Sequence, residues 1–349
     1  MKKNGAFRRV AALMAALSIT VSLAAPAFAD TYYIDYGDIT ITKNEDGSQT
    51  IEQGGDKWTD KAGEETVITT SNTVITTLES DLEGPAAEDS DFGPVVEDNY
   101  QSAQPEDAEE PKDADQPESA EEPKSSDRQE SADQQAAPAA APAGATPVNP
   151  KDDGFWGNTI TVINNFADKV LNLTLKDVKI DVSDTDDKAA LRVQGDGNVE
   201  IELDGNNELK SGWHRAGLEK NASEAEGTLT LKDENKEAGS LTAKGGGSAA
   251  GIGGSYNGYH KNNGTKNIII TGGTVNATGG QCGAGIGGGS DGGGKNITIS
   301  GGTVTAAGGN YGAGIGGGDY GSGEDITING GTVTATGGFR GAGIGGGGS

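Results

Sequence analysis

The sequence predicts an all-β fold, a parallel β-helix (solenoid) with three short strands per coil and about 29 residues per coil in its C-terminal repeats. Two observations carry this. "GGTV" begins at Gly272, Gly301 and Gly330, a spacing of 29 each time, and "AGIGG" begins at Ala250, Ala284, Ala313 and Ala342, with spacings of 34, 29 and 29. The five extra residues fall in "GGSYNGYHKNNGTKN", which stands where the next repeat has "GGGSDGGGKN". A fixed period with an insertion confined to one loop marks a solenoid. Within a period, apolar residues alternate in bursts: Ile297 and Ile299 around Thr298, Val304 between two threonines, Ala313 and Ile315 around Gly314. Such bursts, divided by glycine pairs, read as strands, and no apolar stripe recurs at helical spacing.

The elements follow in order. Residues 1–29 carry a basic start, "MKKNGAFRRV", an apolar run and the small-x-small pattern Ala27-Phe28-Ala29. They predict a secretory signal peptide cleaved after Ala29, hence a secreted or cell-surface protein. Residues 30–78 hold alternating segments such as "DITITKNEDGSQTIEQGG" and predict an N-terminal cap and first coil. Residues 79–153 read as an acidic, proline- and alanine-rich disordered insertion. From Glu79 to Pro150 there are 20 Asp/Glu against 3 Lys/Arg, which is most of the chain's net charge of −27. Such a segment cannot bury enough apolar surface to offset the entropy of ordering. The β-helix resumes over residues 154–349, with strands punctuated by Asp-Gly and Asn-Asn turns, and its glycine-rich repeats begin at 239.

In those repeats the stacking of identical positions predicts three inward ladders: Ile252–Ile286–Ile315–Ile344, Val275–Val304–Val333 and Ile268–Ile297–Ile326. Of the 59 glycines, 42 follow Ala238. They are expected to face outward or to occupy positive-φ corners, with tight cornering and close coil packing as their main use. Six or seven coils are expected. The final "AGIGGGGS" leaves a rung without a polar cap, which invites end-to-end self-association.

The series "LTLKDVKIDVS", "ALRVQGDGNVEIELDGNNELKSG", "GTLTLKDENKEAGSLTAKG" and "AGIGG" resembles a family of bacterial secreted carbohydrate-binding domains. The resemblance covers Thr159–Ser349 well and Tyr32–Thr77 loosely. It implies a right-handed parallel β-helix related in shape to polysaccharide lyases, and binding of plant or acidic polysaccharides, sometimes with calcium.

The chemical inventory is thin. One cysteine, Cys282, excludes an internal disulfide and a cysteine-built metal site, and two histidines, His214 and His260, leave little for acid–base work. The repeats from Gly239 onward hold 4 acids and 5 bases, so no basic face offers itself to nucleic acid. "GAGIGG" has no helix after it to present a phosphate cradle. Asp291, Asp319 and Asp325 read as turn residues without a stacked acidic partner. "DVSDTDDK" supplies Asp181, Asp184, Asp186 and Asp187, an oxygen-rich set of the kind calcium takes, although a solvated acidic turn is the stronger reading of each carboxylate. No cofactor is required.

Six aromatic residues of the coils stand in turns: Trp213, Tyr256, Tyr259, Tyr311, Tyr320 and Phe339. Exposed rings on a rigid scaffold are what sugar faces stack upon. The expectation is therefore a non-catalytic protein that binds an extended polysaccharide. An adhesin-like structural rod is the alternative, and a polysaccharide lyase comes third. A threonine array suited to ice, formed by Thr303, Thr305, Thr332 and Thr334, is short and interrupted by Asn276.

Overall fold

In the computed structural model, residues 30–61, 65–70, 150–151, 153–235, 237–258 and 263–348 are described. They belong to one compact unit, Met1–Val74 with Ala136–Ser349. The signal peptide and nearly all of the acidic insertion predicted from sequence lie outside them, as do Tyr259 and His260.

The chain is a parallel β-solenoid of about six turns, and no α-helix occurs among the described residues. Each coil lays one strand on each of three faces. In one coil these are Thr265–Ile270 on the first face, Thr274–Thr278 on the second and the two-residue Ile286–Gly287 on the third. The next coil repeats them in parallel register, with Ile268 opposite Ile297, Val275 opposite Val304 and Ile286 opposite Ile315. A period of 29 brings each residue onto its own copy one rung, about 4.8 Å, away.

The core is the set of inward positions. The third-face ladder runs Ile39–Ile160–Leu191–Leu218–Ile252–Ile286–Ile315–Ile344, buried at every rung before the last. The first-face ladder Leu171–Val199–Leu229–Ile268–Ile297 is equally closed. Each such side chain contributes roughly 1.5–3 kcal/mol by leaving water.

The N-terminal strands join this stack directly. Thr66–Thr69 pairs in parallel with Val170–Lys176, and Ile39–Lys43 with Ile160–Ile163. Ile39–Lys43 also turns back into an antiparallel meander with Gln49–Gln53 and Asp56–Asp60. Among the described residues that meander is the one departure from parallel pairing.

Two local expectations are corrected. The Asp204-Gly205 and Asn206-Asn207 pairs do not form turns. They lie inside a continuous strand, Asn198–Lys210, that bends from the first face to the second. Gly205 makes the bend at φ +60°. Asn207, fully buried, donates its amide to Leu175, Asp204 and Ser240 carbonyls and accepts the Val178 N–H. The corner therefore leaves no polar group orphaned.

The glycines, moreover, do not simply face outward. At Gly285 a Cβ would sit 2.6 Å from backbone atoms of Ala307 and Gly314 in the next coil. There the requirement is close approach between coils, and no side chain fits it.

Candidate functional site

In each coil a short segment precedes the two-residue third-face strand and another follows it. The leading segments stack: the amide of Ser248 donates to the carbonyl of Trp213, Cys282 to Gly247, Tyr311 to Gln281, and Arg340 to Asn310, at 3.0–3.2 Å. This fixes a column Trp213–Gly247–Gln281–Asn310–Phe339, with a second beside it, His214–Ser248–Cys282–Tyr311–Arg340.

The trailing segments fold back over the third face. Tyr256 donates to the His214 carbonyl, Ser290 to Ser248, Asp319 to Cys282 and Gly348 to Tyr311, at 2.7–2.8 Å. The result is a stripe along the solenoid axis, two loop columns wide. Its glycine-bearing floor is buried, which is why Gly253, Gly287 and Gly316 carry no side chain there.

Five of the six aromatic candidates are described, and all five stand on this stripe. Trp213, half exposed at 52%, lies against Gly247 of the next rung, where a Cβ would fall 2.6 Å from the indole. The His214 ring tilts against Tyr256 at 5.6 Å between centroids. Three rungs on, the Arg340 guanidinium sits 5.6 Å over the Tyr311 ring, a cation–π pair. Phe339 is 90% exposed and Tyr320 70%.

Tyr320 is also at φ +57°, a region that bulky side chains avoid. Its counterpart one coil earlier is Asp291, at φ +59°, a residue type that tolerates this backbone. Strain of this kind gathers at functional sites.

Beneath the Trp213 end lies a charged network. The fully buried Glu219 carboxylate accepts from Arg215 Nη1 at 3.2 Å and Asn221 Nδ2 at 3.0 Å through Oε1. Arg192 Nε stands 3.2 Å from the same oxygen, but its N–H points aside, so the contact is an ion pair without a hydrogen bond. Burial pushes the Glu219 carboxyl up, against the pull of Arg215 and Arg192. Arg192 also pairs with Glu224, whose carboxyl would rise with burial but is held low by that guanidinium. Arg215 reaches Asn257 Oδ1 and the Asp187 carbonyl, which fixes the segment that carries Trp213 and His214.

The four carboxylates considered for calcium do not assemble into one binding set. Asp181 accepts from Ser183 and pairs with Lys210; Asp184 accepts from Lys151 and Thr185; Asp187 faces His214 and Arg215; Asp186 is exposed. Three of them are turned toward cations or hydroxyls rather than toward one another. Among the described residues no three His, Cys, Asp or Glu side chains group in a way that could hold a metal ion.

The other acids depart from the sequence reading. Asp291 and Asp319 come together on the stripe, where the Asp291 amide donates to the Asp319 carbonyl. Burial and the Asp291 charge push the Asp319 carboxyl up, and burial with both carboxylates pushes the Cys282 thiol up. Asp325 lies in a strand, at φ +52°, and not in a turn.

The sequence reading did not place Gln281, Asn310, Asp319 or Arg340 with the aromatics. The signal was present inside the repeat. Between "GG" and the following "AGIGG" phrase the chain writes Gln281-Cys282, Asn310-Tyr311 and Phe339-Arg340, while the flanking glycines do not change. The varying slots are the ones that face solvent.

Residues 268–290, 297–319 and 326–348 match the beta helix repeat family, in steps of 29 that coincide with the coils. These coils are β-helix repeats, and the described chain is a parallel β-solenoid. No curated protein and no solved structure matches it. No helix among the described residues is long and apolar enough to cross a membrane.

Proposed function

We propose that this β-helix repeat protein is a non-catalytic, secreted or surface-exposed carbohydrate-binding protein, and that the aromatic stripe is its binding face. One observation carries the reading: Trp213, Tyr256, Tyr311, Tyr320 and Phe339, scattered over more than 120 residues of sequence, are collected on a single corner, and one of them is held there at a strained backbone angle. Rings with exposed faces, alternating with amide, hydroxyl and carboxylate groups, are the chemistry that pyranose faces and hydroxyls recognise. Neighbouring contacts hold the corner in place, with Arg215 paired to Glu219 and the His214 ring nitrogen 3.1 Å from Asp187 Oδ1.

The test is a glycan array on the mature chain, with and without a calcium chelator, beside the Trp213→Ala variant. Retention of polysaccharides that persists with chelator and falls at least tenfold in the variant supports the reading. Retention that chelation abolishes moves the site to the acidic loop of Asp181–Asp187. A blank array leaves the adhesin-like rod in its place, and release of unsaturated sugars would make the protein a lyase.

A further inference from the structure

We infer that the stripe takes internal stretches of an unbranched polysaccharide laid parallel to the solenoid axis, held at two separated anchors. The inference rests on the carbohydrate reading and adds its geometry.

The register sets the length. Trp213 and Phe339 occupy the same column four rungs apart, with Gly247, Gln281 and Asn310 between them. At ~4.8 Å per rung this is about 19 Å. Aromatic surface is concentrated at the two ends, as Trp213 with Tyr256 and as Tyr311, Tyr320 and Phe339. Between them stand small or polar side chains, among them Ser248, Gln281, Ser290, Asp291 and Asp319, beside a glycine floor. A linked pyranose advances about one rung per ring, so an extended oligosaccharide of four or five units along the axis meets both ends. One laid across the stripe meets only one of them.

The shape sets the mode. Two shallow grooves lie elsewhere, one of about 260 Å³ between Lys266 and Lys295 and one beside the Gly54-Gly55 turn. Both lysines of the first are paired, with Glu226 and Glu324. Among the described residues no wall closes the stripe around a terminal sugar. Two weak stacking sites joined by one stiff ligand act as a bivalent pair. The second contact then costs little additional ordering, and affinity climbs steeply once the ligand reaches both.

Calorimetry with cello-, xylo- and galacturono-oligosaccharides of two to eight units tests this, on the mature chain and on Trp213→Ala and Phe339→Ala. Both side chains are exposed, and circular dichroism verifies that each variant folds. The expected result is an affinity at least tenfold higher for the hexamer than for the trimer in the series that binds. Each variant should erase that step, so that it binds the hexamer no more tightly than the trimer. Equal affinity for trimer and hexamer, with the array still positive, overturns the two-anchor arrangement and leaves the carbohydrate reading standing. Binding by none of the three series overturns the inference as well, and a blank array alongside it removes the reading beneath.

Discussion

The indole of Trp213 lies against the backbone of Gly247, the residue that occupies its own position one rung along. Glycine is required there because a ring, not a side chain, fills the space above it. Gly247→Ala should push the indole off by about the 1 Å that separates 2.6 Å from ordinary contact. Its φ is outside the left-handed region, so the fold should lose under about 1 kcal/mol. A shifted tryptophan emission maximum with weakened polysaccharide retention is expected, against an unchanged melting temperature within a few degrees.

Tyr320→Asn separates stability from binding. Asparagine accepts the φ of +57° that tyrosine resists, so the variant should gain up to about 1 kcal/mol. Polysaccharide retention should fall at the same time. Urea midpoints that drop in the variant would show that the ring stabilises the coil.

Glu219→Gln tests the network below the stripe. The substitution preserves shape but leaves the guanidinium groups of Arg192 and Arg215 facing a neutral amide. Because both arginines are partly solvated, the cost should be about 1–2 kcal/mol rather than that of a wholly buried pair. Chemical denaturation measures it. An unchanged midpoint would mean that Arg215 is held by Asp187 and Asn257 alone.

The N-terminal meander carries a pH dependence. Asp60 accepts hydrogen bonds from Tyr32 and Thr66, yet burial, with Asp30 nearby, raises its pKa to about 6 from the usual 3.8. The folded state therefore favours the protonated acid. Its contribution is full below about pH 4 and is lost as pH rises through 6, on the order of 2 kcal/mol. Asp60→Asn should flatten the stability profile between pH 4 and 6. A profile as steep as the parent's would place the titration elsewhere.

Gly287 reports on the floor of the stripe. It sits at φ +143°, and a Cβ would approach the Gly316 carbonyl oxygen at 1.9 Å, an atom of the coil backbone that cannot yield. Gly287→Ala should destabilise by several kcal/mol, well beyond Gly247→Ala, when the two are compared by thermal melts.

The period of 29 determined the solenoid by itself. Identical residues at a fixed step, with apolar side chains alternating within each step, have one way to bury every apolar group, and the Ile286–Ile315 and Val304–Val333 rungs follow from counting. Upstream, where the repeat loosens, counting is weaker. Asp204-Gly205 looks like a hairpin turn because local sequence cannot tell a reversal from a corner. Only the pairing of each half with a different face decides it. The site shows the same division. That Trp213, Tyr311, Tyr320 and Phe339 stand in turns is written in the chain. That they share one corner depends on loops folding back across the third face, through backbone hydrogen bonds such as Tyr256 to His214 that leave no mark on side-chain pattern. The partners of Glu219 and the proximity of Asp291 to Asp319 were likewise decided by tertiary structure, since charge has no period and is placed by what the coils bring beside it.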